Sequence, residues 1–152
     1  MARVSGFHSR IETTLLWAQG LYFLATGLWP IVHIESFQWV TGPKTDHLPT
    51  GREGDHWLVM TVSVLIVAIA LSLLTAALRG SASIEILVLA IASACVLTGI
   101  DVIYALRGVI PPIYLADAAL EIGFIGIWSM LALNRARGSR AARPADRRRL
   151  PV

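Results

Sequence analysis

The feature that most constrains this chain is a set of four apolar runs, at about 13–34, 57–78, 86–106 and 113–133, each close to the ~20 residues that an α-helix needs to cross a 30 Å hydrocarbon layer. In lipid every backbone polar group has to be satisfied within the spanning segments, so runs of this kind become helices. With 55% apolar residues, the 152-residue chain has too little polar surface for a soluble domain. The expected fold is an all-α membrane protein, a four-helix transmembrane bundle of antiparallel up-down order. Residues 1–134 form this domain, with an outer loop over 35–56 and a disordered basic tail over 135–152.

Charge sets the expected orientation. The last nineteen residues hold seven arginines (Arg135, Arg137, Arg140, Arg143, Arg147, Arg148 and Arg149) against Asp146, a local +6 within a whole-chain +3. A basic tail beside a membrane helix marks the cytoplasmic side or an anionic-lipid contact, and nucleic acid is not an expected partner. Four spans then put both termini in the cytoplasm, with Arg3, Arg10, Arg79 and the tail inside, against Lys44, Arg52 and Arg107 outside. Arg3 and Arg10 before Leu15 to Leu24 also fit a cleaved signal peptide, but the apolar run continues through Trp29, Pro30 and Ile34, so a retained span is expected. Cys95 stands alone, which excludes thiol–disulfide chemistry within the chain.

Three carboxylates interrupt the last two runs: Asp101, Asp117 and Glu121. An ionised side chain near a helix centre costs roughly 2.5–3.5 kcal/mol, so these groups are expected to be paired, protonated or wet, and any function to sit beside them. Gly108-Val109-Ile110-Pro111-Pro112 is a short link that folds the third and fourth spans into an antiparallel pair, with Asp101 level with Asp117 and Tyr104 level with Tyr114. Tyr114, Asp117 and Glu121 are spaced three and four apart, and so share a helix face. On the first span Gln19, Tyr22, Thr26, Trp29 and His33 form a polar and aromatic stripe expected to face the bundle. The expected constellation has Asp101, Asp117 and Glu121 as candidate catalytic acids and bases, and Tyr22, Trp29, His33, Tyr104, Tyr114 and Arg107 as ligand-binding groups.

Crowded carboxyls in low dielectric do not all ionise, which puts an acid beside a base. That arrangement suits binding of a small amphipathic molecule with proton transfer across it, binding of a cation or protonated amine, or proton-coupled transport. The competing reading is structural: Arg107 pairs with an aspartate, the tyrosines donate to Glu121, and the acids only fix packing. Enzyme, transporter and accessory protein all stay open, as does homo-oligomerisation. A metal held by His33, His56 and the acids is not expected, since four histidines cannot build a histidine-rich centre, and no cofactor motif occurs.

Further packing is expected from small residues: Ala68, Ser72 and Ala76 on the second span, Ala90, Ala94 and Thr98 on the third, and Gly123 and Gly126 on the fourth. Residues Phe37, Trp39 and Val40 are expected in a short interfacial turn that Glu35 or Ser36 caps, Gly42-Pro43 stops, and which roofs the site. Glu12, beside Arg10, is read as a solvated cap, which argues against the small multidrug transporters and their first-helix glutamate.

The motifs Gly27-Leu28-Trp29-Pro30-Ile31-Val32-His33 and Val40-Thr41-Gly42-Pro43-Lys44-Thr45-Asp46 occur with Asp101-Val102-Ile103-Tyr104 and Ile113-Tyr114-Leu115-Ala116-Asp117-Ala118 before Glu121. Together, over most of residues 16–133, they resemble a group of small bacterial four-span membrane proteins of uncharacterised function. In that group the Thr-Gly-Pro-Lys-Thr-Asp element leads almost directly into Trp-Leu-Val, whereas His47 to His56 intervene here. The resemblance implies a bacterial inner membrane, with surrounding lipids as partners.

Overall fold

A computed structural model describes the backbone of residues 2–42 and 56–142, and the side chains of 10–42 and 56–138. Five helices follow one another: α1 (Ala2–Val32), α2 (Ile34–Thr41), α3 (His56–Leu78), α4 (Ile84–Leu106) and α5 (Tyr114–Ala142). All except α2 are long and apolar enough to cross a membrane, and they form a helical bundle. Of the basic residues expected at the ends, Lys44, Arg52 and the tail from Arg143 onward lie outside the described residues.

Local signals set the helix ends. The Ser83 hydroxyl caps α4 by accepting from the Ile86 N–H at 3.4 Å. The link from α4 to α5 turns at Gly108, whose φ of +69° favours glycine, and the N–H groups of Tyr114 and Leu115 then donate to the carbonyls of Pro111 and Pro112. Residues 135–142 continue α5, where a disordered tail was expected; three alanines and three arginines sustain a helix already nucleated by the span, and Gly138 alone does not break it.

Two helix pairs dominate the packing, α1 against α3 and α4 against α5. The first is antiparallel: Gly20 lies on Leu74, whereas Gly27 lies on Ser63 and Val67, so residue numbers rise on one helix as they fall on the other. A Cβ on Gly27 would lie 3.0 Å from the Ser63 carbonyl oxygen, tighter than an ordinary contact, so glycine lets the two backbones approach closely here. This corrects the expected packing of α3. Of the expected set Ala76 is buried in the core, but Ala68 is exposed and Ser72 half-exposed, and the Ser72 and exposed Thr75 hydroxyls bond carbonyls one turn back in their own helix; Ser63, Ala70, Leu73 and Ala77 turn inward beside Ala76. Gly123 and Gly126 are likewise exposed with no neighbour near their Cα, so α5 makes no close approach there. On α4, Ala90 and Ala94 are fully buried, on the face that leads to Asp101.

The core sits at one end. Leu15, Leu16, Phe23, Leu73, Ala77, Leu87, Trp128 and Leu131 pack together near the end where α1 begins and α5 finishes, here called the base. Gln19 crosses this layer: its side-chain amide donates to the Ala90 carbonyl at 3.0 Å and accepts from the Trp128 indole N–H at 2.8 Å. Below it Arg135 forms a bidentate ion pair with Glu12, and it also donates to the Ala82 carbonyl at 3.0 Å. Glu12 is therefore not a solvated cap; it is 6% exposed and ties α1 to α5. At the opposite end, the top, the two helix pairs part.

Candidate functional site

Where the pairs part, a cavity of about 380 Å³ lies between them. Its wall from α1 and α3 is largely apolar (Phe23, Pro30, Val59, Ile66), relieved by Tyr22, Thr26 and Ser63. The facing wall comes from α4 and α5 and carries Asp101, Tyr114, Asp117 and Glu121. A side lobe of about 270 Å³ shares Tyr22, Thr26, Phe37, Tyr114 and Asp117 with the main space and extends to Trp29, Ile113 and Leu120.

Helical α2 supplies the roof. Phe37 lines both lobes, Thr41 is buried, and Gly42, with φ +83°, abuts the Pro111 ring at the α4–α5 turn, so α2 runs from the end of α1 across to the other pair. The cap of this helix is His33, not Glu35 or Ser36. Its Nδ1 accepts from the Ser36 N–H at 3.1 Å, and its carbonyl accepts from the Ser36 hydroxyl. The Trp29 indole N–H donates to the same hydroxyl at 2.8 Å, and its ring meets Phe37 edge-on, at 5.8 Å between centroids.

The three carboxyls differ in setting. Glu121 is 0% exposed, and neither of its oxygens has a hydrogen-bond partner among the described residues. Asp117, one turn earlier, is half-buried, with one buried oxygen that also lacks a partner. Asp101, across the helix pair, is 6% exposed and borders the same cavity. For Glu121 such burial without a partner is costly: an unpaired buried polar group forfeits about 1–3 kcal/mol, and more when it is charged.

The structure thus gathers Asp101, Asp117, Glu121, Tyr22 and Tyr114 around one space, with Trp29 beside its side lobe. Three expected members stand elsewhere. Tyr104 is 42% exposed, because three residues turn an α-helix by 300° and leave it about 60° away from Asp101, outside the helix pair. Arg107 caps the end of α4, is exposed, and stacks 6.0 Å from the Tyr104 ring, away from the acids. His33 follows the last residue of α1, so the stripe that it was expected to continue ends one position before it. No group of three histidine, cysteine, aspartate or glutamate side chains among the described residues is placed to hold a metal ion.

Sequence reasoning missed the apolar wall and the Glu12–Arg135 pair. Glu12, Leu16, Gln19 and Phe23 are spaced four, three and four apart, and this buried stripe could have revealed the pair. No protein-family model, curated protein or solved structure matches this chain.

Proposed function

We propose that this chain is a bacterial inner-membrane protein that binds a small amphipathic molecule in the cavity at its top, with the polar end of the ligand toward Asp101, Asp117 and Glu121 and its apolar part along the α1–α3 wall. One observation carries the reading: Glu121 is fully buried, has no hydrogen-bond partner among the described residues, and borders an open space. At the base the same protein pairs its large buried polar groups. Gln19 has two partners and Glu12 has a guanidinium, so acids that served only packing would be expected to be treated likewise.

Asp117 and Glu121 lie one turn apart on one face of α5 and border the same space, which also suits them to pass a proton to and from the bound molecule. Transport is less well supported, because the packed layer of Gln19, Trp128 and Leu131 lies between the cavity and the base. The top is read as the periplasmic side: Arg10, Arg79, Arg135 and Arg137 cluster at the base, against Arg107 at the top. The test is native mass spectrometry of gently extracted protein after exposure to a lipid extract of its host membrane. A bound mass at one copy per chain, lost on Glu121→Gln, is the expected result. Protein that stays empty under the same conditions overturns the proposal.

A further inference from the structure

We infer that the ligand is an organic monocation with an apolar tail, a lipophilic amine or quaternary ammonium, and that it reaches the cavity from the bilayer through the gap between α1 and α5; this rests on the ligand-binding reading above. The charge of the site points to a cation. Three carboxyls border the cavity and no lysine, arginine or histidine among the described residues does, with Arg107 turned out onto Tyr104. Glu121, enclosed and without a partner, is the group such a charge would satisfy.

Two observations favour an organic cation over a metal ion. The carboxyls do not converge on a point where a metal would have three ligands. The rings of Tyr22, Phe37 and Tyr114 line the same cavity, and aromatic faces attract alkylammonium groups, which bind diffusely rather than through a tight oxygen cage.

The route follows from the side lobe. It joins the main space through Tyr22, Phe37 and Asp117, and it ends at Ile113 and Leu120, which are 51% and 55% exposed on the apolar surface of the bundle. Along their whole length α1 and α5 touch little, and beside the cavity the Tyr22 and Phe124 rings meet at 6.1 Å between centroids. A tail would lie among Ile113, Leu120 and the neighbouring lipid while the head sits beside the acids, so the molecule need not leave the membrane to bind.

The experiment uses the full chain in nanodiscs of zwitterionic lipid and four probes that share one dodecyl tail: dodecylamine, dodecyltrimethylammonium, dodecanol and dodecanoate. Binding is read as a thermal shift and by native mass spectrometry, with affinities referred to probe in the bilayer. Both cations should bind at one copy per chain, about tenfold more tightly than dodecanol. Glu121→Gln should erase that preference, so that both cations bind no more tightly than dodecanol. Leu120→Trp should slow association several-fold; an unchanged rate overturns the route. Equal binding of all four heads, or a preference for dodecanoate, with either lost on filling the main lobe by Ile66→Trp, overturns the cationic class and leaves the amphiphile-binding reading standing. No binding of any probe by protein that still unfolds cooperatively overturns both.

Discussion

Two glutamates in this chain illustrate opposite fates of a buried charge. Glu12 has its guanidinium partner, whereas Glu121 has none among the described residues, and their substitutions should differ in sign. Glu121→Leu removes a polar group that pays desolvation without return, so thermal unfolding in detergent should show a gain of about 1–3 kcal/mol. Arg135→Ala strands the buried Glu12 carboxylate and should cost about 3 kcal/mol, whereas Glu12→Ala lets Arg135, already 38% exposed, turn to water for about 1 kcal/mol. A loss on Glu121→Leu as large as that on Arg135→Ala would instead favour acids that hold the helices together. At this scale the sequence was informative where a charge is anomalous. Asp101, Asp117 and Glu121 are conspicuous inside apolar runs, but a charge at a helix end has a bland explanation, and that concealed Glu12. His33, Tyr104 and Arg107 were misplaced because spacing gives an angle about a helix axis, and neither the end of that helix nor the direction of its neighbour.

The number of spans followed from hydrophobic runs that lipid makes unambiguous, and three of the four long helices begin within two residues of the expected positions, whereas α1 (Ala2–Val32) and α5 (Tyr114–Ala142) run well beyond the apolar stretches of about 13–34 and 113–133 at their basic ends. The packing faces did not follow. In a membrane the lipid tails are as apolar as the core, so hydropathy does not distinguish the inward face of α3, and small residues there mark both kinds of surface. Glycine substitutions separate the two. Gly27→Ala would gain about 1 kcal/mol of helix propensity but drive a methyl to 3.0 Å from the Ser63 carbonyl, which belongs to backbone and does not yield; the expected net effect is a loss of about 1 kcal/mol. Gly20→Ala should be milder, because it meets the end of the Leu74 side chain, which can rotate. Gly123→Ala and Gly126→Ala meet nothing within 4 Å and should each stabilise by about 0.5–1 kcal/mol. Denaturation midpoints in one detergent would rank the four, and stabilisation by Gly27→Ala would contradict the close α1–α3 contact.

Considered whole, the molecule is packed at its base and hollow at its top, and both properties have the same origin. The long core side chains, the Gln19 bridge and the Glu12–Arg135 pair all fall where α1 begins and α5 ends, whereas the carboxyls fall where α4 turns into α5. Orientation in the membrane can be read by labelling: with Cys95→Ser as background, Val109→Cys at the top should react with a membrane-impermeant maleimide added to intact cells, and Ser81→Cys at the base only after lysis. The opposite pattern would put the cavity on the cytoplasmic side. Uneven packing should also appear as uneven opening, since segments with few buried contacts exchange their amide hydrogens through low-energy local fluctuations. In detergent, amides around Leu16, Ala77 and Trp128 should exchange slowly, while those around Val59, Ile100 and Asp117 exchange faster despite similar hydropathy. Occupancy of the cavity adds contacts only at the top, so a bound ligand should slow exchange there and leave the base as it was. Protection that rose equally at both ends would mean that the two halves open as one unit, and a cavity that stiffens nothing on filling would not be a binding site.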